Sequence, residues 1–503
     1  MSEIDNNSKN KQKYLDIIER YQKEIILLSR TSSLLDWDQQ TYMPKKSAKS
    51  RAEQKSFLSK LIHEKITSEE LFQAILNVKK EGLSEREKAM MRKIDKEVKR
   101  AKQLPKEFVE ELSRASSLGF SAWQEAKQKS DFGIFKDYLK KIVELKRKET
   151  KYIGLPGHPY NSLLEEYEEE MTAEKLKSIF EDLKNELIGL LKKIEATDTY
   201  KNQKKEKYNF NEKSQLELSK ELIKVMGFSE DVFRIDLSEH PFSIGFSPGD
   251  VRITTNIKKG VTDNFSSTIH EAGHALYNLN MPEEEEFNFL YDSPSYGMHE
   301  SQSRFWENMI GKGKAFQQYF FPKIQERFDI EDFDKWYHNL NLIEPGKIRI
   351  ESDEIHYCLH IILRFELELG LIEGSIEVED LPKLWNKKMK EYFNVEIKND
   401  SEGVLQDVHW SSGNFGYFPT YAIGTIYSSQ LYKQLKKEIP NIEGDIFEGN
   451  FERISAWLKE KIHKHGARYV AEDLIKSVCE EGMNPRVFIE YLNKKYQKIY
   501  NFT

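Results

Sequence analysis

Two histidines four residues apart constrain this chain more than any other feature: His270 and His274 in Thr268-Ile269-His270-Glu271-Ala272-Gly273-His274-Ala275-Leu276. Residues i and i+4 share one face of an α-helix, so both imidazoles meet one ion only if the segment is helical. Glu271 then lies about 100° round the axis, placed to handle a water rather than to ligate. The flanks predict that helix. Asp263 is the expected N-cap, Pro282 the expected stop, and Phe265, Ile269, Ala272, Leu276 and Leu279 recur at helical spacing between them. A surface helix carrying two histidines by chance is the alternative that so short a motif leaves open.

The rest of the chain narrows the choice. Its 503 residues suffice for a large core. Charged residues make up 32% with a net charge of −7 and both signs interspersed, which gives no nucleic-acid footprint. Two cysteines, Cys358 and Cys479, are too few and too far apart for a disulfide framework and suit a reducing compartment. The N-terminus is polar and acidic without an apolar core, and no run of about 18 apolar residues occurs, so no signal core or membrane span is expected. A cytoplasmic protein is the expectation.

Helical periodicity dominates residues 9–230. Tyr14, Ile17, Ile18, Tyr21 and Ile25 form one stripe, and further helices are expected over Ser84–Ala101, Pro105–Ser117, Phe132–Tyr152 and Ala173–Glu195. We read residues 1–230 as a helical wall or lid and 231–503 as a catalytic subregion of a single domain spanning 1–503. Within the wall, Leu34 to Pro44, with Asp36 and Asp38 flanking Trp37, reads as a helix end that packs inward.

From residue 231 the texture changes. Phe233–Leu237 and Val251–Thr255 alternate apolar and polar residues and predict a small antiparallel sheet, with a turn at Ser247-Pro248-Gly249-Asp250. An edge strand beside a metal-binding helix can hold an extended peptide. His240 and Arg252 are candidates to face the site, against a buried histidine and a surface arginine. Glu283 to Glu286 read as a solvated acidic turn.

A second helix is expected near Tyr296. A catalytic zinc takes three protein ligands and keeps one open position. Glu300 can supply the third, with His299, Glu307 and Glu283 to Glu286 as competitors that spacing cannot separate. Further on, Leu359 to Leu367 predicts a buried helix. The loop from His409 to Tyr421, rich in glycine and tyrosine, suits a site better than a linker. His409 and Tyr421, with Tyr417 as the next candidate, are placed to donate to the oxyanion of a tetrahedral intermediate.

The stretches His240-Pro241-Phe242, Asp250 to Thr254, His270 to His274, His299-Glu300-Ser301-Gln302, Ile348-Arg349 through Asp353-Glu354 and Gly403 to Trp410 occur in this order. With Trp37-Asp38 to Met43-Pro44, the chain resembles the carboxypeptidase Taq family of metallocarboxypeptidases, the thermostable carboxypeptidase 1 type, from about residue 10 onward. The resemblance implies a mainly α-helical zinc-peptidase fold with a deep cleft, related to neurolysin and angiotensin-converting enzyme, and a homodimer. It implies removal of single amino acids from peptide C-termini with broad specificity and poor action on C-terminal proline. It assigns one zinc ion per chain, with cobalt as a substitute, to His270, His274 and Glu300, and the general base to Glu271. Ser352 and His356 depart from the family pattern, and His356 is expected to alter the pocket near Arg349. For the substrate's free C-terminal carboxylate we favour Arg349, with Arg252 closing the same end of the cleft. The rival readings are an endo-oligopeptidase of the same fold and a helical scaffold with a vestigial metal site. The intact Glu271 argues against the scaffold.

Overall fold

The stripe of Leu176, Phe180, Leu183, Leu187 and Leu190 buries one face of a helix that runs Ala173–Glu195, as its periodicity predicts, and Thr172 caps it by accepting from Lys175 N. In the computed structural model, which describes residues 3–80, 82–206, 208, 211–257 and 260–503, helices of this kind dominate. Met1 and Ser2, at the polar N-terminus, lie outside the described residues. Ser84 and Glu87 form a reciprocal capping box at the head of Glu85–Gln103. The helix expected to end near Ser117 continues over Lys106–Lys129, because nothing breaks the pattern before Ser130 turns left-handed.

Apolar packing crosses residue 230. One buried cluster joins Phe108, Leu183 and Phe265 to Tyr500, while a smaller one gathers Ile18, Ile75, Met90 and Ile94 beneath the first helix, Glu3–Thr41, together with Leu290. The acidic turn at Glu283 to Glu286 is not merely solvated. Glu285 is 1% exposed and takes a bidentate pair from Arg86 at 2.7 and 2.6 Å, and Glu286 pairs with Arg30 at 2.7 Å. The turn therefore docks the N-terminal helices onto the remainder. Trp37, 2% exposed, packs edge-on against Phe242 at 5.3 Å and does the same job.

The small sheet has three strands, β1 (Phe233–Leu237), β2 (Ser243–Ser247) and β3 (Asp250–Thr255), in the order β1-β3-β2. β2, a strand that the alternation did not predict, pairs antiparallel with β3 across the expected turn, while β1 runs parallel to β3, so the sheet is mixed rather than antiparallel. The chain reverses direction twice between β1 and β3, and β3 takes the central place. Next comes the histidine helix, Val261–Asn280, which starts after Gly260 at φ 129° rather than at an Asp263 cap. Glycine tolerates that backbone. Asp263 falls instead in the first turn, where a carboxylate suits the helix dipole.

Three further helices build the interior. Tyr296–Arg304 passes into a π-helical segment, Phe305–Gly311, a distortion that recurs at functional sites. Glu354–Glu373 is buried along almost its whole length, and Pro419–Glu438 lies against Tyr296–Arg304. No helix among the described residues is long and apolar enough to cross a membrane.

Candidate active site

The helix Tyr296–Arg304 is held between two others by two glycines. A Cβ on Gly273 of the histidine helix would stand 2.6 Å from the Gln302 carbonyl oxygen. One on Gly424 of the opposite helix would stand 2.6 Å from Glu300 Cγ. Any side chain at either position would push Glu300 away from the histidines. With glycine at both, Glu300 Oε2 sits 3.3 Å from His274 Nε2 and 3.6 Å from His270 Nε2. One ligand atom from each of the three residues lies within 4.8 Å of the others.

The surroundings decide what each group can do. His270 Nδ1 hydrogen-bonds Glu307 Oε2 at 2.9 Å, which leaves Nε2 for the shared centre. Arg304 Nε donates to Glu300 Oε1 at 2.8 Å, and Ser303 Oγ donates to Oε2 at 3.0 Å. Arg304 also reaches Glu307 at 3.2 Å, and Lys312 pairs with Glu307 at 3.1 Å. Burial opposes the charge on Glu300, but Arg304 and the two histidines hold its carboxyl well below the usual range. The donor set of two imidazoles and one carboxylate fits a divalent cation. Glu307 stands behind His270 as an orienting partner of the kind metal-binding histidines use. His299 stacks on His274 at 4.5 Å and bonds Asn278 Oδ1 at 3.1 Å, so it supports the site from the side. Glu271 is buried, and that burial raises its carboxyl above the ordinary value despite the neighbouring imidazoles.

A second cluster of charge centres on Asp407. Asp407 Oδ1 accepts from Arg349 Nε at 3.1 Å and Nη2 at 2.9 Å, while Oδ2 accepts from Arg364 Nε at 2.7 Å. Arg349 is 5% exposed and Arg364 fully buried. Burial brings Arg364 down to about 10, against the pull of Asp407. Arg349 Nη1 donates to Tyr357 Oη at 3.1 Å, and the Arg304 guanidinium lies 4.1 Å over that same tyrosine ring. Tyr357 therefore links the two clusters.

His409 and Tyr421 meet here, with Nε2 and Oη 3.2 Å apart, and Tyr421 stacks under Arg349 at 4.8 Å. Burial lowers His409 to about 3 in spite of Asp407, so its imidazole is neutral. Burial also keeps the Tyr421 hydroxyl protonated. Tyr417 lies 5.3 Å from Tyr421.

The structure does not bring every candidate together. Arg252 is committed to Asp250 at 2.8 and 2.7 Å and lies over Phe246, near Trp37. His240 is exposed. No hydrogen bond or ion pair among the described residues joins either to the Arg349 cluster. His356 pairs with Asp353 at 2.6 Å and faces Phe393 rather than Arg349. Arg304, Tyr357, Arg364 and Asp407 were not singled out from the sequence. A signal existed for Arg364, an arginine in the middle of an otherwise apolar buried helix.

A model of the carboxypeptidase Taq (M32) metallopeptidase family matches residues 17–496. The chain belongs to this family. Carboxypeptidase 1 of Bacillus subtilis is 37% identical over 497 residues, covering 96% of this chain and 99% of that one. Thermostable carboxypeptidase 1 of Pyrococcus furiosus is 36% identical over 506 residues, covering 99% and 100%. The solved structure of a Pyrococcus furiosus carboxypeptidase, in an apo-Mg form, superposes with a TM-score of 0.94 at 36% identity, covering 96% of this chain and 99% of that one. Similarity over the full length, with a mainly helical fold and a small sheet, makes this member of the carboxypeptidase Taq family a metallocarboxypeptidase.

Proposed function

We propose that this metallocarboxypeptidase holds one zinc ion on His270, His274 and Glu300, with cobalt as a working substitute. It removes single residues of broad identity from peptides with a free C-terminus. The observation that carries the reading is the sharing of Asp407 between Arg349 and Arg364. Two buried guanidinium groups share one carboxylate, and His409 adds no charge. One positive charge is left uncompensated at the end of the cleft, and a buried charge of that kind calls for an anionic partner. A peptide's terminal carboxylate supplies it, with Arg349 as the nearer fork.

When bound, zinc polarises the scissile carbonyl and the attacking water. Glu271 takes the proton of that water and passes it to the leaving amine, a task suited to a carboxyl whose affinity for protons burial has raised. With His409 neutral, an Nε2–H that donates to Tyr421 Oη leaves the tyrosine proton for the developing oxyanion, so His409 orients the hydroxyl and Tyr421 donates. Glu307 and Arg304 keep His270 and Glu300 in orientation.

We take the chain to act as a single peptidase domain, with 1–230 as the wall and 231–503 as the catalytic part. The family resemblance supports a homodimer, and two free cysteines fit the cytoplasm. Incubation with a mixed peptide library, followed by mass spectrometry, tests the reading. Stepwise loss from C-termini is the expected result, and internal cleavage would overturn it in favour of an endo-oligopeptidase.

A further inference from the structure

The helix that bears Glu300 begins with three amides that no preceding turn can satisfy. Tyr296 N donates to the Tyr167 carbonyl at 3.1 Å, Gly297 N to Glu168 Oε1, and Met298 N to Ser295 Oγ at 3.1 Å. Two of these three acceptors come from one pair of consecutive residues far away in the chain. Glu168 is 2% exposed, and the chemistry proposed above does not use it. A Cβ on Gly297 would stand 2.7 Å from Glu168 Oε1 and 2.7 Å from Ile423 Cγ2. The helix head is therefore pressed between this carboxyl and the helix Pro419–Glu438. Burial raises the Glu168 carboxyl to about 8 against the pull of Ser295, Gly297 and Lys96, and Oε1 accepts in either protonation state.

The segment that holds Glu168 is itself anchored at the other wall of the site. Glu168 N donates to the Leu164 carbonyl at 2.8 Å. A Cβ on Gly416 would stand 2.8 Å from both the carbonyl carbon and oxygen of Leu163. Tyr160 Oη donates to Glu368, which also accepts from Gly416 N at 3.1 Å. The Tyr167 ring lies 5.4 Å from Tyr296 and 5.2 Å from Tyr417. Residues 160–168 thus form a strut between the loop of His409 and Tyr421 and the helix of Glu300.

We infer that Glu168 is a positioning residue of the metal centre, setting the height and rotation of the helix Tyr296–Arg304 so that Glu300 meets His270 and His274. This rests on the metal assignment proposed above. Glu300 lies less than one turn beyond Gly297, about 4.5 Å along the axis. A shift of the helix head is therefore passed to the Glu300 carboxylate almost in full, and metal–ligand distances tolerate only about 0.2 Å. Without the Glu168 oxygen, Gly297 N is left buried and unpaired, and the head must move to find another acceptor.

Zinc affinity by chelator competition, the absorption bands of the cobalt-loaded protein and the melting temperature test the inference. Glu168→Met keeps the volume but lacks the acceptor. It should bind zinc about tenfold more weakly than the parent, the low end of the range for an orienting partner, with shifted cobalt bands. Glu168→Gln restores the acceptor and should return both metal readings to those of the parent. Leu183→Ala opens a cavity in the core helix Ala173–Glu195 and should lower the melting temperature with neither metal reading changed. If Glu168→Met does not fold, Ser295→Ala carries the test, since it strips the next acceptor from the same turn and should shift the cobalt bands. A folded Glu168→Met with parental zinc affinity and bands, or failing that a parental Ser295→Ala, overturns the positioning role and leaves the metal assignment intact. Equal weakening in Glu168→Gln or in Leu183→Ala overturns it as well. A parent that takes up neither zinc nor cobalt overturns the assignment and the role together.

Discussion

Arg349 and Asp407 form a buried ion pair, Nη2 to Oδ1 at 2.9 Å, in which the carboxylate is already shared with a second guanidinium from Arg364. The pair is therefore short of negative charge. It lies against the tyrosine whose ring carries Arg304, the residue that donates to Glu300 at 2.8 Å. Tyr357 thus joins the residue proposed to hold the chain end to the residues proposed to hold the metal.

A free C-terminus should matter strongly. The parent enzyme is expected to cleave a peptide acid far faster than its C-terminal amide, because the amide brings no charge to offset the second guanidinium that the single Asp407 carboxylate leaves uncompensated. Arg349→Ala should raise KM for the acid and erase most of the discrimination. Equal parent rates on acid and amide would defeat the assignment.

Metal retention separates ligand from support. Glu300→Ala should lose its zinc in metal analysis, whereas Glu307→Gln should bind it about 10–100-fold more weakly, the usual cost of removing a histidine's orienting partner. A Glu300→Ala protein that holds zinc like the parent would hand the third ligand to another residue.

Glu271→Gln should keep both zinc and fold yet lose roughly 10²–10⁴-fold or more in turnover, since a proton acceptor is lost and no ligand is. Circular dichroism, metal content and single-turnover rates check the three parts. Near-normal turnover in a metal-replete variant would remove Glu271 from the proton transfers.

Tyr421→Phe removes a hydroxyl that hydrogen-bonds His409. Its kcat should fall more than its KM rises, as for a group that acts in the transition state. The same split is expected for His409→Ala. An unchanged kcat in Tyr421→Phe would return Tyr421 to a packing role and move attention to Tyr417.

The pH dependence of stability should carry the mark of Glu368. This fully buried carboxylate accepts from Trp410 Nε1 at 2.8 Å, Tyr160 Oη at 2.5 Å and Gly416 N at 3.1 Å, and burial raises it from 4.5 to about 7. Its folded value exceeds its unfolded one, so the native state binds more protons between those limits. The stabilisation is complete below the unfolded value and is lost as pH rises through about 7. The shift corresponds to roughly 3 kcal/mol at most. The melting temperature of Glu368→Gln, which lacks this titration, should therefore gain on the parent between pH 5 and pH 8. A constant difference across that range would show that Glu368 does not titrate there.

Much of this arrangement is legible from local pattern. Helical spacing alone places His270 and His274 on one face, sets Glu271 beside them, and marks the helix Ala173–Glu195 to the residue. Those are relations among residues one to four apart, which helix geometry dictates wherever the helix lies. Strand alternation likewise located β1 and β3 but not their direction, because pairing depends on the path of the chain between them.

Tertiary packing decided the rest. Glu300, His299 and Glu307 are equal candidates in the sequence. Only the close approach allowed at Gly273 and Gly424 turns Glu300 inward and leaves Glu307 behind His270. Arg252 and Arg349 look alike as carboxylate partners until Asp250 claims one and a half-share of Asp407 leaves the other in need of an anion. A side chain's charge is written in the sequence. Whether that charge is already neutralised depends on residues brought in from distant segments, and so on the fold.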